Sequence, residues 1–186
     1  MGEGTLSFLD SLFESLRGGS PRMQEAGVDE TETVRKIARA LDELDTERAR
    51  YIATFAYILG RVAHADLDIS EEESRAMERI VVERGGIPPQ QAVIVVQIGK
   101  SQNRLFGGTE DFLVTREFNE IADRAQKLQL LDCLYAVSAS DDDVSTVEDN
   151  EIGKIANELR LDRADLVRAR EAYVQYLSVL RTPEPE

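Results

Sequence analysis

The stretch that decides the fold is Val62-Ala63-His64-Ala65-Asp66-Leu67-Asp68-Ile69-Ser70-Glu71-Glu72-Glu73, because it returns as Val137-Ser138-Ala139-Ser140-Asp141-Asp142-Asp143-Val144-Ser145-Thr146-Val147-Glu148. The offset is 75 at every aspartate, serine and glutamate pair: Asp66/Asp141, Asp68/Asp143, Ser70/Ser145 and Glu73/Glu148. Apolar positions keep the same register. Phe55, Leu59 and Val62 match Leu130, Leu134 and Val137, and Ile69, Met77 and Ile80 match Val144, Ile152 and Ile155. A whole supersecondary unit is therefore repeated: an apolar helix, an acidic turn, then a second helix. The units span residues 50–100 and 124–180.

Outward from these turns the pattern is helical. Thr5 to Arg17 places Leu6, Leu9, Leu12, Phe13 and Leu16 on one face, and Gly18-Gly19-Ser20-Pro21 ends it, so residues 1–20 read as an amphipathic helix followed by a linker at 21–28. That helix is acidic apart from Arg17, whereas membrane-surface helices carry basic polar faces. It is expected to dock on its own domain or to exchange between two copies as a homodimer. Val34, Ile37, Ala38, Leu41 and Leu44 form the next stripe, and Thr46 is a candidate N-cap. The segment from Tyr51 to Ala63 is apolar on more than one face, which places it at the centre of the core. Ser70 starts a helix that Gly85-Gly86 stops, and Pro88-Pro89 open another. Ser101 to Gly108 reads as a loop, and helices follow at 112–122, 125–139, 145–159 and 163–180, with a tail at 181–186. The β-branched run Val93-Ile94-Val95-Val96 would be a strand without a partner, and no period-two alternation persists. The expectation is an all-α chain: a single compact domain over 29–180, of about seven to eight helices.

Composition bounds the function. The 186 residues carry 22 basic and 36 acidic side chains, a net charge of −14. Nucleic-acid binding needs clustered Lys and Arg and is disfavoured. Lone Cys133 permits no internal disulfide. No apolar run reaches the ~18 residues of a membrane span, and no secretory signal is visible at the amino terminus, so the expected setting is cytoplasmic.

The acidic turns carry the chemistry. Ser70 with Glu73, and Ser145 with Glu148, spell capping boxes, which explains those four residues without a ligand. The aspartates exceed what a turn needs. Calcium and magnesium take carboxylate oxygens from short loops, so Asp66, Asp68, Glu73, Asp141, Asp143 and Glu148 are the candidate ligands for a divalent cation. An EF-hand is excluded: counting from Asp66, its glycine position holds Glu71 and its bidentate glutamate position holds Met77. With one His (His64) and one Cys, no nucleophile–base set can be assembled, and the chain is read as no enzyme. A hydrolase would need a deep pocket around His64. The two function classes in play are a module binding a cation and a protein partner, and a purely structural or oligomerisation domain without metal.

Ala63, Ala65, Asp66, Asp68, Ile69, Ser70 and Glu73, with the second set Asp141, Asp143, Val144, Ser145 and Glu148, resemble the tellurite-resistance TerB family. The amino-terminal region of membrane-anchored J-domain co-chaperones is similar. The resemblance, over residues of about 30 to 180, implies a compact helical fold, a bacterial cytoplasmic setting, a part in stress or tellurite response, and calcium or another divalent cation on the six acidic residues above. The family commonly has Gly where this chain has Asp68 and Asp143.

Overall fold

The computed structural model describes residues 36–37, 39–63, 70–106 and 111–180, with residues 101–106 described for their backbone. The expected helix at 5–17, the linker at 21–28 and the tail at 181–186 lie outside these residues. The described chain is helical throughout: α1 Thr46–Val62, α2 Glu71–Glu83, α3 Pro89–Phe106, α4 Asp111–Ile121, α5 Arg124–Ser138, α6 Thr146–Glu158 and α7 Arg163–Glu171. Residues 36–37 and 39–42 are helical as well and send Ile37 and Leu41 into the core. Among the described residues, β pairing is limited to the isolated parallel bridge between Val144 and Leu177.

The repeat is visible in three dimensions. Helices α2 and α6 have 13 residues each, and the 75-residue offset carries the bounds of one onto the other. Both begin with a complete capping box, Ser70/Glu73 and Ser145/Glu148. A third pair, α3 and α7, extends the repeat, but at an offset of 74 (Pro89 to Arg163). The lost residue sits in the preceding turn. Ile87 N–H donates to Val81 O in the first copy, and Leu161 N–H to Ala156 O in the second, so the first loop is one residue longer. Gly85 fits there for steric reasons: a Cβ would lie 2.6 Å from Val81 O and 2.9 Å from the Phe55 ring. The left-handed residue of each turn is Gly86 (φ 64°) in the first copy and Arg160 (φ 57°) in the second.

Helix α1 is buried on every face from Tyr51 to Val62, as its composition requires, and packs against α3, α4, α5 and α6. The copies interlock: α1 meets α6 while α2 meets α5. Tyr51, Phe55 and Phe118 form an aromatic cluster with ring centroids 5.5–6.3 Å apart. Burying side chains of this size contributes ~1.5–3 kcal/mol each, which makes α1 the main source of cohesion.

Three expected boundaries shift. The N-cap of α1 is Asp45, whose carboxylate accepts from Arg48 N–H at 3.0 Å; Thr46 is the first helical residue. The loop expected at 101–108 is helical to Phe106. The helix expected at 163–180 ends at Glu171 and gives way to 3-10 turns at Val174–Tyr176 and Ser178–Leu180. Position 173 explains the third change. In the first copy Gly99 packs beside Gly60, with its absent Cβ 3.9 Å from Gly60 Cα, and α3 runs straight on. The equivalent positions in the second copy are Tyr173 and Tyr135, which stack at 5.8 Å. Two rings cannot occupy the space of two glycines, and Tyr173, Val174 and Tyr176 are weaker helix formers.

Candidate functional site

Both acidic turns end in a helix start that consumes a glutamate. Ser70 N–H donates to Glu73 Oε2 at 2.7 Å and Glu73 N–H to Ser70 Oγ at 3.2 Å. In the second copy Ser145 N–H donates to Glu148 Oε2 at 2.9 Å and Glu148 N–H to Ser145 Oγ at 3.2 Å. The hydrogen bonds from the Ser70 side chain and backbone hold the Glu73 carboxyl below the usual carboxylate range. Glu73 and Glu148 thus serve the helix starts, which reduces their capacity as cation ligands.

The second turn is described in full. Helix α5 runs into a 3-10 turn at Ala139–Asp141, Asp142 takes a left-handed conformation (φ 65°) that Asp tolerates, and Asp143 leads into Val144. Asp141 and Asp142 are exposed. Asp141 Oδ1 accepts from Asp143 N–H at 3.4 Å, and the Asp143 carboxylate accepts from Ser178 Oγ at 3.2 and 3.3 Å. In the first turn Asp66, Asp68 and His64 lie outside the described residues. The expected six-residue set is therefore described in four members: two are caps, and Asp141 and Asp143 share one corner. Among the described residues, no three Asp, Glu, His or Cys side chains come together in a way that could hold a metal ion. This half of the expected ligand set does not close a site by itself.

A separate polar centre lies between the copies. Arg61, near the end of α1 and with its side chain 4% exposed, reaches Glu151 at 2.7 Å and Glu158 at 2.7 Å on α6 and Asp111 at 3.7 Å on α4. It also donates to Thr115 Oγ1 at 2.9 Å, and Thr115 Oγ1 lies 2.8 Å from both Asp111 O and Glu158 Oε2, which share its single proton. Tyr57 donates to Asp111 Oδ1 at 3.0 Å. Burial alone would lower the Arg61 pKa, but its bonds to Glu158 and Glu151 outweigh that and raise it. Glu151 shows the converse: burial pushes its carboxyl up, while Arg61 and Lys154 pull it below the usual range. A fixed guanidinium thus occupies the place among these carboxylates that a cation would otherwise take. Sequence reading missed this centre, whose members are spread from residue 57 to 158. One signal was there: Arg61 is the sole Lys, Arg, Asp or Glu between Tyr51 and Ala65.

The family description "Tellurite resistance protein TerB" matches residues 51–171, more than half of the chain. The chain belongs to the TerB family. The match takes in both acidic turns, the Arg61 centre and all of α2 to α7. No curated protein and no solved structure matched the chain.

Within this TerB domain the Cys133 thiol is kept protonated by its position. Cys133 is buried in α5, and burial, with Asp132 beside it, pushes its thiol far up. Among the described residues, no helix is long and apolar enough to cross a membrane.

Proposed function

We propose that this TerB-family chain is a non-catalytic binding module of the bacterial tellurite and stress response, which engages a divalent cation of the calcium class and a protein partner at its acidic turns. The observation that carries the reading is the duplicated sequence: two Asp-x-Asp stretches, each followed by a capping box that spends a glutamate. The ligands are Asp66 and Asp68 in the first turn and Asp141 and Asp143 in the second, with Glu73 and Glu148 acting chiefly through the caps. So few protein oxygens leave most of the coordination of a calcium-sized ion to water or to oxygens of a partner. The partner reading is supported by Val147, exposed in the first turn of α6, and by Val174, Val179 and Leu180, exposed on the segment that meets Val144. Apolar surface beside excess negative charge suits a partner with a basic rim.

Calorimetric titration with calcium chloride tests the cation. Binding is expected in the intact chain and lost in Asp66→Asn/Asp141→Asn. A chain that gives no heat, or a double variant that binds as before, removes the cation from the proposal. The purely structural alternative then stands.

A further inference from the structure

The carboxyl-terminal segment 174–180 has a use that the helical body does not need. Its backbone hydrogen-bonds to the second acidic turn. Val144 N–H donates to Tyr176 O at 2.7 Å, and Ser178 N–H donates back to Val144 O at 3.0 Å. Ser178 Oγ lies 2.7 Å from Val144 O and 3.2–3.3 Å from the Asp143 carboxylate oxygens, which share its single proton. Leu177 is the one residue of the segment that is buried; Val174, Gln175, Val179 and Leu180 are exposed. The segment starts from a fixed point, because Tyr173 is buried, stacks on Tyr135, and donates to Asp132 Oδ1 at 2.9 Å. Beyond that point the described residues form two three-residue turns.

We propose that residues 174–180 are a releasable strap: it swings about Tyr173, covers the second acidic turn in the closed state, and on opening bares the Val144 backbone and the Asp143 carboxylate while the helices stay folded. Three features support release as a unit. The strap is seated by buried Leu177, half-buried Tyr176 and a few hydrogen bonds, with its other apolar side chains exposed, which is the profile of a segment that opens locally. All the named bonds reach residues 143 and 144, so no helix has to move. The strap also satisfies the Val144 N–H and C=O in the way an added β-strand would, so an extended segment of a partner can replace it bond for bond. In the first copy α3 instead continues as helix past Gly99 to Phe106. The significance of release, though not release itself, rests on the acidic turn being the binding site.

Amide hydrogen exchange on the intact chain tests the strap. The Val144 and Ser178 amides are expected to exchange at least ~100-fold faster than those of Leu59 and Leu134, with little dependence on denaturant. Leu177→Ala is expected to speed the first pair by a further ~10-fold and leave the second pair unchanged. Exchange of all four amides at one rate, with one denaturant dependence, overturns the strap. Ser178→Ala removes the hydroxyl that touches Asp143, and calcium chloride should bind this variant several-fold more tightly than the parent chain. Equal binding overturns the gating of the turn. No heat in either defeats the cation reading instead, and the exchange rates still decide the strap.

Discussion

The two copies share two helices and part at the third. In the first copy Gly60 and Gly99 let α1 and α3 approach closely, and α3 runs for 18 residues. In the second, Tyr135 and Tyr173 stand at those positions, α7 stops after nine residues, and the chain turns back over its own acidic corner. Side-chain volume at one pair of positions therefore decides whether a unit continues as a helix or closes on its turn. The copies also differ in charge placement. Arg61 has Ala136 as its counterpart, so the buried guanidinium belongs to the first copy, although all of its acidic partners lie on α4 and α6.

That one-sided centre gives the largest expected effect. Arg61→Ala leaves Asp111 and Glu158 without their counter-charge and Glu151 with Lys154 alone, and should cost about 3 kcal/mol in denaturant unfolding, the low end for a buried pair because water still reaches the glutamates. Arg61→Lys should recover part of this loss; a cost below ~1 kcal/mol for Ala would reduce the centre to an ordinary surface pair. Next comes the extra residue of the first copy. Gly85→Ala drives a methyl group onto Val81 O and the Phe55 ring and should cost ~2 kcal/mol, whereas Arg160→Gly in the matching turn relieves a left-handed arginine and should stabilise by up to ~1 kcal/mol. Opposite signs at the two turns would confirm that they solve the same problem differently.

The caps should behave alike. Ser70→Ala and Ser145→Ala are each expected to cost ~1 kcal/mol, and a much larger loss at Ser145 would show that the strap depends on this corner. Acid sharpens the same comparison. Glu73 and Glu151 are depressed below 4.5 in the fold, so each stabilises the chain above that value and loses its contribution as pH falls through its folded pKa. Stability measured from neutrality downward should therefore drop below about 4.5, and Glu151→Gln should flatten the drop more than Glu73→Gln, because Glu151 is the more buried of the two.

Much of this was legible from local pattern. The constant offset, the Ser-x-x-Glu boxes and the apolar run of α1 each signal within a few residues, and the all-α fold followed from them. The strap was read as helix because nothing local to residues 172–180 reveals a ring stacked 38 positions away. The Arg61 centre depended on packing for the same reason. The acidic residues themselves were found, but only the fold reveals that Glu73 and Glu148 are occupied and that Asp143 is shared with Ser178.

Helix α4 ties the two copies together. Its Glu117 pairs with Arg50 of α1, its Asp111 and Thr115 join the Arg61 centre, and its Asn119 donates to Glu158 O of α6. Two isolated halves brought together would lack this splint and could not reproduce the present arrangement. The doubled chain is then expected to melt in a single step, and a cut anywhere between Asp111 and Ile121 to leave fragments unable to reassemble.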